Sequence, residues 1–293
     1  MSKTVSLLSG LLCTFIWGTT FIAQDTGMDH IGPFTFNAVR FFVGFLAITP
    51  LVILFEIKKF KSDNNTFINL SILIGISLFL GSALQQVALL YTDVANAAFF
   101  TIFYVPMVPI IIFLFKRTSI HWSVWPSVVL CLIGGYLLTN FYDATVRRGD
   151  SLVVLGALFW STHIIFTGII VKKYDLPLTI GAVQTLLVAS FSYVIALIYE
   201  EFIFIEIMKE INSILYAGIL SGGFAFVLLI YAQKNITPAP AAIIFSLEGV
   251  FATIAAWYIL NQILDINNLL GCLFILCGVL LSQLLPLVKK RYS

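Results

Sequence analysis

Apolar residues fill this chain in long runs, and polar or Gly/Pro positions interrupt them at near-regular intervals. Cutting at the interruptions gives ten apolar segments, at about 5–24, 33–55, 67–91, 95–115, 121–141, 150–171, 177–199, 211–233, 238–259 and 266–287. Each is close to the roughly 20 residues that an α-helix needs to cross the hydrocarbon core of a bilayer. The alternation of a membrane-barrel strand is absent, and an open sheet would leave backbone groups unpaired in lipid. The pattern predicts ten transmembrane helices joined mostly by short connections.

The pattern also repeats. A shift of 143 residues places Leu12 on Leu155, Trp17 on Trp160, Thr19 on Thr162 and Ile22 on Ile165. A shift of 144 places Pro33 on Pro177, Thr35 on Thr179, Ala38 on Ala182, Ala95 on Ala239, Ala97 on Ala241, Gly134 on Gly278 and Leu137 on Leu281. This near-constant register divides the chain into a first five-helix unit, 1–144, and a second, 145–293. Five is an odd number, so the second unit enters the membrane upside down relative to the first. The expected fold class is an all-α integral membrane protein, ten transmembrane helices as two inverted five-helix repeats. Such repeats are an architecture of secondary transporters, whose site lies between the halves near the midplane.

Composition excludes a soluble alternative. Of 293 residues, 60% are hydrophobic and 10% charged, with a mean hydropathy of +1.04, more apolar surface than a soluble domain could bury. Net charge is +2, and the basic residues are scattered over loops without forming a nucleic-acid-binding face. Cys13, Cys131, Cys272 and Cys277 sit in apolar segments without CxxC spacing, so neither a metal site nor a disulfide framework is implied. The first apolar run lacks a cleavage site of small residues and is read as a retained span.

Lys and Arg set the orientation. With the N-terminus inside, the inner ends hold Lys3, Lys58, Lys59, Lys61, Lys116, Arg117, Lys172, Lys173, Lys234, Lys289, Lys290 and Arg291. The outer ends hold Arg147, Arg148 and Lys209, so both termini are expected in the cytoplasm. Glu200, Glu201, Glu206 and Glu210 gather in one outer connection, expected to be a solvated loop helix rather than a cation-attracting mouth.

Candidate chemistry lies where a polar group interrupts a span. Glu248 stands near the middle of the ninth segment, and intramembrane acids face a protein interior or a cavity. It is the proton-coupling candidate; alternatively it stays ionised against a cationic substrate group, or serves packing alone. Arg40 lies seven residues inside the second segment with Asn37 one turn earlier on the same face. It can bind a substrate carboxylate, neutralise Glu248, or snorkel to the interface. His163 is a proton relay, a substrate donor or a structural histidine. Gln24, Gln85, Gln86 and Gln184 line a cavity or join helices. Phe100 and Tyr104 lie one turn apart in the fourth segment, as do Phe245 and Glu248 in its counterpart. Pro106 and Pro109 are expected to kink the fourth helix, while Gly249, Ala252, Ala255 and Ala256 loosen the ninth. Gly218 and Gly222 form a GxxxG, a close-packing signal.

No HExxH, G-x-S-x-G, paired DxxxD or Walker A loop is found, so neither an enzyme nor a self-powered ATP pump is expected. The chain resembles the EamA family of ten-helix bacterial carriers within the drug/metabolite transporter superfamily. Phe15-Ile16-Trp17-Gly18-Thr19-Thr20-Phe21, Gly32-Pro33-Phe34 with Arg40 following, Leu247-Glu248-Gly249-Val250-Phe251-Ala252, Gly271 and Gly278 carry that resemblance. It implies a pseudo-twofold basket in which helices 1–4 and 6–9 surround a central cavity and helices 5 and 10 lie outside. Gly249 replaces the proline that often follows this Glu, and Lys116 and Asn261 stand where the family often has a loop Glu.

The expected function is secondary transport of a small organic metabolite, an amino acid or similar zwitterion, in the export direction and by alternating access. Import of a heterocyclic vitamin or nucleoside-like compound, or efflux of amphiphiles, is the alternative. The expected substrate-binding set is Glu248, Arg40, Asn37, Trp17, Thr20, Tyr104, Phe100, Trp160, His163, Gln184 and Phe245. Expected partners are a small-molecule substrate, the lipid bilayer and a coupling proton, with no nucleic acid, cofactor or metal. The chain is expected in the cytoplasmic (inner) membrane as a monomer or weak homodimer.

Overall fold

The computed structural model describes residues 2–59, 65–92, 94–116, 120–138, 147–259 and 263–289. Lys61, Arg117, Asn261, Lys290 and Arg291 lie outside the described residues, as do the side chains of Ala95, Lys116 and Lys289 and the expected unit boundary at 144. Regular structure among the described residues is entirely helical: α1 Lys3–Thr26, α2 Pro33–Phe55, α3 Asn65–Ala88, α4 Val94–Thr101, α5 Tyr104–Lys116, α6 Val124–Leu138, α7 Arg148–Tyr174 and α8 Pro177–Tyr199. Then come α9 Phe204–Lys209, α10 Ile211–Leu215, a π-helix at Tyr216–Ala225, α11 Phe226–Gln233, α12 Pro238–Phe245, α13 Leu247–Ile259 and α14 Ile266–Lys289. Among the described residues nine segments are long and apolar enough to cross a membrane, and the shorter α6 is equally apolar. These are the ten expected spans, the fourth, eighth and ninth being composite.

Local chemistry explains most boundaries. Proline stands at the first position of α2, α8 and α12, where its missing N–H costs no helical bond. Asp150, in the first turn of α7, accepts from the Arg147 amide at 2.8 Å and places its negative charge at the helix start. The fourth span breaks between Thr101 and Tyr104 because Pro106 cannot donate to Ile102 and its ring crowds that carbonyl. The ninth breaks at Ser246, whose hydroxyl donates back to the Ile243 carbonyl at 2.7 Å, a bond that bends helices.

Packing follows a twofold pattern. The equivalent helices α2 and α8 lie along each other, α6 lies along α14, and the packing of α1 on α13 is matched by that of α7 on α5. Two side chains show the inversion directly. Glu56, at the end of α2, accepts from the Leu178 and Thr179 amides at 3.1 and 2.8 Å and from the Thr179 hydroxyl at 2.8 Å. Glu200, at the end of α8, accepts from the Phe34 and Thr35 amides at 2.9 and 2.7 Å and from the Thr35 hydroxyl at 2.7 Å. Each helix therefore starts where its counterpart ends, and the two run antiparallel. The orphan N–H groups of both helices are satisfied by an anion at the positive end of the helix dipole.

The acidic segment is thus more than a solvated helix. Glu201 and Glu206 are partly or fully exposed, but Glu200 is the α2 cap and the buried Glu210 meets the His30 ring at 2.5 Å. The expectation treated four carboxylates alike, whereas two of them face helix ends or a loop of the other repeat.

Candidate functional site

The two helix breaks meet at the centre of the molecule. Tyr104 opens α5, and Glu248 lies in the first turn of α13. The two are counterparts under the 144-residue shift, and the Tyr104 hydroxyl donates to Glu248 Oε1 at 3.2 Å. Trp17 and Trp160, counterparts under the shift of 143, face each other nearby with ring centroids 6.4 Å apart. The pseudo-twofold axis therefore runs through an acid–phenol pair and a pair of indoles. Broken helices of this kind present unsatisfied backbone ends to whatever enters between them.

A cavity of about 40 Å³ lies on this axis, and Trp17, Trp160, Tyr104, Glu248 and Arg40 all line it. Arg40 is 3% exposed. Its Nε donates to Asn37 Oδ1 at 2.8 Å, and its guanidinium carbon lies 4.7 Å from the Phe41 ring centre and 5.3 Å from that of Phe36. Aromatic faces and one neutral amide position a cation in this way. Among the described residues, the ion pairs are His30–Glu210, Lys209–Glu206 and Lys234–Asp175, and Arg40 joins none of them. Arg40 and Glu248 share one chamber without touching.

The other expected residues fall into layers. Asn37 stands behind Arg40 and also donates to the Ser82 carbonyl at 3.4 Å. Thr20 turns back on its own helix, donating to the Ile16 carbonyl at 2.6 Å. Phe245 is fully buried with its ring 6.0 Å from that of Trp17. His163 and Gln184 meet at 2.9 Å behind the chamber wall, where His163 packs edge-on against Trp160 and Phe226. Phe100 lies away from the cavity, among Phe99 and Phe103 on one side and the Val153 cluster on the other. None of these six side chains lines the cavity; each is taken up by packing or by a hydrogen bond to a neighbour.

Several lining residues stand outside the expected set. Phe226 stacks on Trp160 at 6.1 Å and 7° and meets Trp17 at 5.2 Å, completing an aromatic wall. Gln85, which donates to Thr101 at 3.0 Å, and Gln24 bring neutral polar groups to the side of Arg40. The two glutamines were visible as polar groups inside spans. Phe226 is one of 27 phenylalanines and carries no signal of its own. Its position depends on the π-helix before it, whose wider turns bring Ser221 and Phe226 to the chamber. That segment lies close on α2: a Cβ on Gly218 would sit 2.7 Å from the Arg40 carbonyl oxygen, which is the close contact the GxxxG predicted. Among the described residues no group of His, Cys, Asp or Glu could hold a metal ion.

Comparison with known proteins places this arrangement. The profile of the EamA-like transporter family matches residues 4–140 and again 147–284. An uncharacterized transporter of Archaeoglobus fulgidus is 31% identical over 280 residues, which cover 93% of this chain and 84% of the relative. The uncharacterized transporter YoaV of Bacillus subtilis is 26% identical over 298 residues, covering 95% and 97%. A protein known from a crystal structure superposes with a TM-score of 0.82 over the whole of both chains at 15% identity, a likeness of fold.

Proposed function

The chain belongs to the EamA-like transporter family, and on that premise we propose that it is a secondary carrier of an amino acid or similar zwitterion, working by alternating access in the export direction. The observation that carries this reading is Arg40, a buried cation that lines the central chamber with no acidic partner among the described residues. A charge removed from water needs a counter-charge, and leaving one uncompensated is costly. A substrate carboxylate supplies that counter-charge, and a guanidinium binds it through a two-pronged fork. Glu248, across the same chamber, faces the ammonium group of a zwitterion or takes a proton when the site is empty. Trp17, Trp160 and Phe226 contact the remaining body of the solute.

At about 40 Å³ the chamber has room for only a few water molecules, less than an amino acid needs. Binding requires the halves to part, as inverted repeats allow. The Lys and Arg bias puts the N-terminal face in the cytoplasm, and one chain encloses the whole chamber, so a monomer suffices. The aromatic wall favours a second reading, a flat heterocyclic solute stacked between indoles.

Uptake and counterflow in proteoliposomes against a panel of amino acids, amines and heterocycles separates these readings. With Arg40→Gln, flux of carboxylate-bearing solutes is expected to fall by roughly tenfold or more, the share of a charge-assisted pair, while flux of neutral heterocycles persists. Undiminished carboxylate flux in that variant would overturn the zwitterion reading.

A further inference from the structure

The two repeats match in fold but differ in closure. A second cavity, of about 380 Å³, lies on the face opposite the N-terminus, walled by Phe21 and Ile22 of α1, Val94 and Ala98 of α4, and Ala252 and Thr253 of α13. Phe21, 3% exposed, is the lining residue that this cavity and the central chamber share.

The equivalent region on the N-terminal face is packed shut. The counterpart of α4 under the 144-residue shift is α12, whose Ala241, Ala242, Ile243 and Phe245 are fully buried. Gly168, the counterpart of Asp25 under the shift of 143, is so close to the start of α12 that a Cβ there would sit 2.8 Å from Pro238 Cγ. Val108, the counterpart of Ala252, is fully buried. Ile164, the counterpart of Phe21, lines the central chamber from this closed side.

We propose that the outer cavity is the external vestibule of the transport path, with Phe21 as the gate between it and the central chamber. Ile164 is the corresponding gate on the cytoplasmic side, where a matching vestibule opens only as the outer one closes. This rests on the carrier reading above and adds the route and its doors. The two halves share one pattern, so the conformation of each is available to the other. The outer walls mix apolar side chains such as Phe21, Ile22 and Ala252 with the polar groups of Asp25, Thr26, Thr253 and Asn268, a passage that admits both the apolar body and the charged ends of a zwitterion on the way to Arg40 and Glu248.

Water access tests this without any solute. In a background with Cys13, Cys131, Cys272 and Cys277 replaced, single cysteines are reacted with a membrane-impermeant maleimide added on the side away from the N-terminus. Ala252→Cys is expected to label readily from that side, and Val108→Cys on the order of tenfold more slowly when the reagent is instead added on the N-terminal side, since thiol reactivity follows access. Gln85→Cys, in the central chamber, is expected to label slowly behind Phe21, roughly tenfold faster with Phe21→Ala, and unchanged with Ile164→Ala. Phe21→Leu gives a smaller increase and serves if the alanine variant does not fold. Silence at Ala252→Cys, or a Gln85→Cys rate indifferent to Phe21, would overturn the vestibule and its gate. If the labelling pattern holds while no amino acid is carried, the gate stands and the substrate reading fails.

Discussion

Glu248 accepts a hydrogen bond from the Tyr104 hydroxyl on Oε1, so the carboxyl keeps its other oxygen for the chamber. Glu248→Gln preserves shape and leaves a carbonyl oxygen for that phenol, but it cannot bind and release a proton. Flux measured against pH in proteoliposomes is therefore expected to lose its pH dependence in this variant, with an unchanged melting profile. A pH profile matching the unaltered protein would remove Glu248 from coupling. Glu248 and Arg40 were legible in the sequence because a charge inside a lipid-length run is conspicuous on cost alone. Phe226 and the division of labour between Arg40 and its backing residue Asn37 were not, since their roles depend on which helix faces which.

At the scale of the helix, the two reciprocal caps make the clearest prediction. Glu56 is 4% exposed and Glu200 is half-buried, yet each satisfies two amides and a hydroxyl at the start of the other repeat's second helix. Glu56→Ala is expected to cost about 1–3 kcal/mol, the penalty of buried donors left unpaired. Glu200→Ala is expected to cost less, because water reaches the freed groups. Thermal unfolding in detergent measures both, and equal or reversed losses would contradict the difference in burial. The breaks near residues 102 and 246 were partly legible: Pro106 announces the first, while the second comes from a serine bonding back to its own helix.

At the scale of the whole molecule, orientation and symmetry are linked. If the N-terminal face is cytoplasmic, cysteines placed at Lys58 and Lys173 are expected to be shielded from an impermeant reagent outside intact cells, and those at Arg148 and Lys209 to react. The reverse pattern would turn the cavity beside Phe21 toward the cytoplasm and overturn its assignment as the external one. Inversion itself was readable from an odd span count, and the structure adds where the axis falls, through Tyr104–Glu248 and Trp17–Trp160.

The sequence alone determined that ten helices cross a bilayer, that they form two related units of opposite orientation, and that an acid and a guanidinium lie at depth. Lipid enforces those features through run length, repeat register and the cost of burying charge. Only the tertiary structure decided which side of each helix meets the axis, which aromatic rings wall the chamber, and which end of the molecule is packed around α12. Helices that are apolar all round carry little facial pattern, so their rotation and closure are settled by packing between the halves.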